Sequence, residues 1–509
     1  MPPHAPDGET RTSRIVGSVD FVRPKLPSTS DDATSDAKLI TLTGTRCSMP
    51  YTIKCSASSF LPTITDPDVA RVRMGQIASD VFAECESKLS NYNPASEVNA
   101  VNALTSTDES HSMSSALRDV VLCAKELVKL TRGAFDPSVA PLLEHYEDMA
   151  GRSSRGRLSA AANGGGNAGG VHSAPLSPIA ERSDSTALSE DTANANDNDE
   201  RSDVDVETIR RQRVVVDYWR SLLSAGFAGD PSDARVTRTV RRLLEVGNWA
   251  NAFSVGVEAE GDATGNSGGT ADLQSPRGKL WRGMSEVRRG ESGLSSKSGE
   301  GEEQVVKIRK KHVEARLDLS GIAKGWAVDK IAEALPSPCY VEWGGDIKVR
   351  GKHPSGRNWV VAVPEPPTLA EIKTRVARAK RAGQKGPVFV LADEYQKDEE
   401  EAKKEGKTGT DTERDRDYLA ILELKDGEAV ATSGDYEKVI ERDGKLYSHV
   451  INPHLGRLLE LNQTTLAQAV VVAKSCMVAD ALATAAISKE DPSQARAMLD
   501  KFRTGYARC

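Results

Sequence analysis

Residues 317–335 read LDLSGIAKGWAVDKIAEAL. The alternation of RLDLS predicts a strand, Gly321 a break, and AKGWAVDKIAEAL a helix that Pro336 stops. A strand that opens a helix in this way gathers free N–H groups and a positive helix end at one spot, which suits a phosphate. The stretch fits neither the Walker A spacing nor the dinucleotide G-x-G-x-x-G. Taken alone it also reads as a tight strand-to-helix connection with an exposed Lys324. Working outward, CYVEWGGDIKVRG (339–351) and NWVVAVP (358–364) predict two strands bridged by the turn cluster HPSGR, and Pro338 precedes the first. GEAVATSGDYEKVI (427–440) leads through an Asp443-Gly444 turn into KLYSHVIN (445–452), a hairpin. CMVADALATAAI (476–487) is an Ala-rich helix. Upstream, 38–56 reads as two strands around a Gly44 turn, and 68–89 and 116–131 have helical periodicity. Strands and helices interleave without a strict βαβ rhythm, which makes the fold class α+β.

Composition divides the chain. It has 509 residues with 67 basic and 74 acidic side chains, net charge -7, and is 38% hydrophobic and 28% charged, lean for a fully packed chain of this length. Three segments stand out: 151–205 with its GGGNAGG run, the Gly/Ser-rich 258–303, and 367–417 with mixed charge. These segments cannot bury enough apolar surface to offset chain entropy and are expected to be disordered, although AEIKTRVARAKRA (370–382) reads as a solvated helix. With a tail at 1–36, this leaves one folded domain over 37–509, interrupted three times. The acidic balance argues against sequence-independent nucleic-acid binding, which needs clustered positive charge. Seven cysteines without a C-x-x-C pair argue against a zinc ribbon or a disulfide scaffold. No apolar run of membrane-spanning length and no leader-like h-region is present, so the expected location is cytoplasmic, with no membrane partner.

Several residues could carry chemistry, each with a plain structural alternative. Asp480 and Thr484 are four apart on one helix face. A carboxylate beside a hydroxyl suits an oxygen-seeking cation such as Mg²⁺, but the same pair also describes a solvated Asp and a Thr bonded to its own helix. Asp136 in GAFDPSVAPLL is pushed out of helical geometry by Pro137, which fits a ligand contact or a structural turn. Tyr92, in LSNYNPASEVNAVN, could stack on a ring or simply pack. His449 could serve as a base near neutral pH or be structural. Trp343-Gly344-Gly345 marks a close backbone approach or a bulge.

Taken in order, CSMPYTIK, LSNYNPASEVNAVN, GAFDPSVAPLL, LDLSGIAKGWAVDKIA, VEWGGDIKVRGKHPSGRNWVVAV, VATSGDYEKVIERDGKLYSHVINPHLG and CMVADALATA resemble the ApbE family, the Mg²⁺-dependent FAD:protein FMN transferases. The resemblance implies an ApbE-like, T-fold-related flavin transferase domain. It implies cleavage of FAD and attachment of FMN through a phosphoester to a threonine of a target protein, with release of AMP. By motif, Mg²⁺ would be held by Gly321, Asp480 and Thr484. FAD would be contacted by Cys47, Tyr92, Ala134, Phe135, Asp136, Lys324 and Leu458. His449, with Asp435 as an alternative base, and Lys324 would serve the reacting phosphate. Two positions depart from the family: Cys47-Ser48-Met49-Pro50-Tyr51 replaces M-G-T-x-[YF], and Asn452 stands where Asp is frequent. The implied acceptor is a threonine-bearing redox protein such as a fumarate-reductase-type flavoprotein. Self-modification is not expected, because no S-G-A-T string occurs here. FAD hydrolysis to FMN and AMP would use the same site, and flavin binding without turnover is the non-enzymatic alternative.

Overall fold

The computed structural model describes residues 21–22, 39–60, 64–142, 247–257, 271–272, 305–383, 388–389, 418–442 and 444–506. The segment 151–205, nearly all of 1–36 and 258–303, and most of 384–417 lie outside the described residues, and so does the disorder expected of them.

In chain order the strands of three or more residues are β1 (Leu39–Arg46), β2 (Met49–Ser56), β3 (Ser110–Ser112), β4 (Phe253–Val257), β5 (Val306–Lys310), β6 (Cys339–Trp343), β7 (Asp346–Arg350), β8 (Trp359–Pro364), β9 (Tyr418–Leu424), β10 (Ala429–Gly434), β11 (Lys438–Arg442), β12 (Lys445–Asn452), β13 (Arg457–Glu460) and β14 (Gln468–Ala473). The helices of six or more residues are α1 (Pro67–Lys88), α2 (Glu97–Asn102), α3 (Ser115–Leu130), α4 (Ala323–Ala334), α5 (Leu369–Arg381), α6 (Cys476–Ser488) and α7 (Pro492–Tyr506). The fold is α+β. Its centre is an antiparallel sheet in the order β14-β10-β7-β6-β2-β1.

Period-two alternation sorts this sheet's side chains into two layers. Ile53, Val341, Ala431 and Ala469 join the core beneath α1, α4 and α6. Ile347, Val349, Val430 and Val470 face the other way, onto Trp359, Val361 and Leu422 of the antiparallel β8–β9 pair. On β7 the residues left on the helix side are polar. Asp346 and Lys348 reach Lys324 and Asp329 of α4.

Two of the three crossing helices start behind a side-chain cap. Asp66 caps α1 ahead of Pro67, and Ser475 caps α6. Ile322, at the head of α4, offers no side-chain cap, so that end turns to other partners. Gly325 lets α4 and α6 cross closely, since a β-carbon there would lie 2.4 Å from the Cys476 carbonyl oxygen. Further away, Lys310 Nζ ties the end of β5 to the carbonyls of Asn102, Leu104 and Val313 at 2.8, 2.9 and 2.8 Å.

Four sequence expectations need correction. The first hairpin turns at Cys47-Ser48, both with positive φ (51° and 61°), and Gly44 lies inside β1. Glycine is needed at 44 because the Tyr51 ring lies over it, 2.5 Å from where a β-carbon would stand. The 339–351 stretch is two strands with a turn at Gly344-Gly345, again with positive φ, so three strands fill 339–364. Among the described residues, 315–319 pair with no strand. Two side-chain amides take the place of a neighbouring strand. Asn91 and Asn102 donate to Leu317 O at 2.6 and 3.0 Å, Leu317 N donates to Asn102 Oδ1 at 2.7 Å, and Leu319 N donates to Asn91 Oδ1 at 3.1 Å. Finally, the helix expected to be solvated within 367–417 forms as α5 behind a Thr368/Glu371 capping box. It buries Leu369, Ile372 and Val376 against Tyr436, Val439 and Leu446, because those three apolar residues share one helix face.

Candidate active site

The site gathers where α4 begins, beside the middle of α6. Residues 320–322 form the turn into α4. Gly321 lies against Thr484, so a β-carbon at 321 would stand 3.0 Å from Thr484 Oγ1. Thr484 Oγ1 is in turn 3.4 Å from Ser433 Oγ on β10. One turn earlier on α6, buried Asp480 accepts a hydrogen bond from Gly325 N at 3.1 Å, using one of the N–H groups that the uncapped helix start leaves available. The fold thus brings Gly321, Lys324, Asp480 and Thr484 to one place.

Lys324 reaches across to the turn between β6 and β7. Its Nζ donates to Gly344 O at 3.1 Å and pairs with Asp346 Oδ1 at 2.9 Å. Burial pulls its pKa down, but Asp346, Asp480 and Glu437 outweigh that and hold it above the ordinary lysine range. The Asp346 and Asp480 carboxyls lie side by side, both buried. Burial raises the pKa of each; Asp480 raises that of Asp346 further, and Lys324 offsets only part of either shift. With one ammonium beside them the two buried carboxyls resist ionising together, and a cation placed here would favour the doubly ionised pair.

Among the described residues no group of three His, Cys, Asp or Glu side chains could hold a metal. A metal here would rest on Asp480, the Thr484 hydroxyl and the Gly321 carbonyl, an all-oxygen set of the kind Mg²⁺ takes, with the remaining positions left to water and phosphate. The donor types and the adjacent carboxyls fit such an ion.

His449 sits on β12. Burial lowers its pKa, and Glu437, the Lys438 side chain and backbone, and Asp318 act on it as well. Glu437 is the common neighbour, because it also acts on Lys324 and Asp480. His449 Nδ1 has no hydrogen-bond partner among the described residues. Asp435 is buried two residues after Ser433, its N–H donating to Ala467 O.

The remaining sequence candidates form the surroundings. Cys47 is exposed in the β1–β2 turn. That turn abuts the Gly344 turn, with Trp343 Nε1 donating to Arg46 O at 3.3 Å and Met49 packed over Gly344. Tyr92 is 73% exposed and follows Asn91, whose amide holds the 317–319 segment. Ala134 and Phe135 are buried behind Gly133; Ala134 O accepts from Ser488 Oγ at 2.7 Å at the end of α6. The Asp136 carboxylate is engaged within the protein, accepting from Ser138 N, Ser138 Oγ and Trp249 N. Leu458 is buried on β13 opposite Ile451. Asn452 donates to Glu490 Oε1 at 3.0 Å, where an aspartate would face a like charge.

Sequence reasoning missed Asp346, Glu437 and Ser433. Asp346 follows two glycines and reads as a turn residue. Its one signal is the alternation of polar Asp346 and Lys348 with apolar Ile347 and Val349 in a strand that is buried on both faces.

Residues 44–167, 251–383 and 400–508 match the profile of the ApbE family. The chain belongs to the ApbE family. Within it, the FAD:protein FMN transferase of Chlamydia trachomatis serovar D is 32% identical over 181 residues, 35% of this chain and 40% of that protein. The FAD:protein FMN transferase of Vibrio cholerae serotype O1 is 32% identical over 175 residues, 34% of this chain and 38% of that protein. The chain thus spans about two fifths of the length of these ApbE relatives. The apo flavinyl transferase ApbE of Pseudomonas stutzeri superposes with a TM-score of 0.49 at 19% identity, over 91% of this chain and 88% of that one. The flavin transferase ApbE of Vibrio cholerae does so with a TM-score of 0.43 at 20% identity, over 90% and 89%.

Proposed function

We propose that this chain is an Mg²⁺-dependent FAD:protein FMN transferase, moving FMN from FAD to a threonine hydroxyl of a target protein and releasing AMP. The observation that carries this reading is the convergence of Asp480, Thr484 and Gly321 with Lys324 at the uncapped start of α4. The names of the relatives point the same way.

In the proposed reaction the acceptor threonine oxygen forms a bond to the FMN phosphorus, the pyrophosphate P–O bond breaks, and the electron pair leaves with AMP. Such transfers ask a protein for positioning and charge rather than covalent chemistry. Bound Mg²⁺ would neutralise charge on the pyrophosphate oxygens. Lys324, protonated at every working pH, and the N–H groups opening α4 would orient the same phosphates. His449 would take the threonine proton: its lowered pKa keeps the imidazole neutral at pH 7, and among the described residues Nδ1 has no hydrogen-bond partner. The exposed Tyr92 and the Cys47 turn would border the flavin, with backbone contacts at Ala134, Phe135 and Leu458. Asp136, whose carboxylate is already engaged, would act by shaping that loop. The acceptor would be a flavin-carrying redox protein of the fumarate reductase type.

The test is AMP release from FAD with Mg²⁺, with and without a threonine-bearing acceptor domain, together with the acceptor's intact mass. AMP that depends on the acceptor, with an FMN-sized mass gain, is the expected result. AMP with no acceptor modification would replace transfer by hydrolysis. FAD binding with no AMP at all would leave a binding protein.

A further inference from the structure

α4 carries Lys324 and Asp329, and β7 carries Asp346 and Lys348 facing them. Five residues of helix rise about 7.5 Å and two of strand about 6.8 Å, so both pairs meet at once, with their charges reversed. The first pair, Lys324–Asp346, belongs to the site described above. The second does different work. The Asp329 carboxylate accepts from Ser475 Oγ at 2.7 Å, Cys476 N at 2.9 Å and Met477 N at 3.0 Å, so it closes the start of α6 from outside that helix. Lys348 Nζ stands 3.4 Å from it and also donates to the carbonyls of Gly427 and Lys474.

We propose that Asp329 is a positioning residue that sets the height of α6 against α4 and thereby the spacing of Asp480 and Thr484 from Gly321. This rests on the metal reading above. The two halves of the donor set lie on different helices. One half is the turn into α4. The other begins four residues beyond Cys476 on α6. Gly325 lets the helices touch, and its N–H ties α4 to α6 by one bond, to Asp480. The Asp329 cap adds a second tie a turn away, because it fixes two consecutive backbone N–H groups of α6 to a side chain of α4, and Lys348 holds that carboxylate against the sheet.

The experiment uses the full chain and Mn²⁺ as the probe, its binding followed by electron paramagnetic resonance without FAD. FAD affinity is measured separately by flavin fluorescence. Asp329→Asn keeps the volume but turns a donor toward one of the two helix N–H groups. The expected result is Mn²⁺ binding weakened about 10–100-fold with FAD affinity within about twofold. Ser475→Ala, which removes one of the three bonds and serves if Asp329→Asn does not fold, should show a smaller loss in the same direction. Lys310→Met, a buried cation removed elsewhere, should lower the melting temperature and leave Mn²⁺ binding unchanged. Wild-type Mn²⁺ affinity in folded Asp329→Asn, or equal loss in Lys310→Met, would overturn the assignment while leaving the metal reading intact. Absence of Mn²⁺ binding by the wild type would overturn both.

Discussion

The Asp480 carboxylate accepts a hydrogen bond from the Gly325 amide at 3.1 Å, where α4 packs directly on the backbone of α6. One residue thus supplies both the approach and the bond. Gly325→Ala would place a methyl 2.4 Å from backbone that cannot move aside cheaply. We expect the helices to separate, at a cost of about 2–3 kcal/mol in urea unfolding, with AMP release falling in parallel. A variant with unchanged stability would show the crossing to be looser than described.

Asp480→Ala removes the carboxylate but not the helix. AMP release should fall by more than about 100-fold, the share assigned to a cation on the pyrophosphate, and raising Mg²⁺ should not restore it. Thermal stability should hold or rise, since one of two adjacent buried carboxyls is gone. Near-wild-type turnover would remove the metal assignment.

Asp346→Asn keeps the side chain's volume and removes its charge. Lys324 would then keep Gly344 O but lose its ion pair, and the ammonium would be free to swing. The expectation is a higher KM for FAD together with a lower kcat, in a protein that melts no earlier than the wild type. An earlier melt with intact kinetics would make the pair structural only.

His449 has a pKa lowered by burial from its ordinary 6.5. Between those two values the unfolded chain binds a proton that the folded chain refuses. The resulting stability is complete above about pH 6.5 and is lost as pH falls through the folded value. Relative to His449→Gln, the wild type should lose melting temperature on going from pH 7.5 to 5.5. The same variant should lose about 10²–10⁴-fold in rate if the imidazole is the base. Parallel melting curves at both pH values would contradict the burial.

Lys310, with its pKa pushed down to about 8 by burial, has the same sign in another window. Its contribution is present above the unfolded value of 10.5 and disappears as pH falls through about 8. The stability difference between wild type and Lys310→Met should therefore move in favour of the wild type from pH 7 to pH 10, as urea titrations would show.

Much of the candidate site's geometry was legible because its residues lie on regular elements. The spacing of Asp480 and Thr484 on an Ala-rich helix, and the Gly321 break before AKGW, state their own geometry. What escaped the sequence came from partners distant in the chain. Asn91 and Asn102 stand in for a strand beside Leu317, so a segment that alternates like a sheet strand belongs to none. Cys47-Ser48 turn a hairpin without glycine, whereas the nearby Gly44 serves only to admit Tyr51. Asp346 looks like part of a turn until α4 is set against it. Positive φ in non-glycine residues and amide-for-backbone substitution have weak sequence signatures.

The bond from Trp249 N to Asp136 Oδ2 joins positions 113 apart in the chain. It works as a clasp, drawing the loop after Gly133 and the turn that opens at Trp249 to one point. Because closure entropy grows slowly with length, a bond of such reach holds its two ends together at a cost that rises only gently with the distance it spans along the chain.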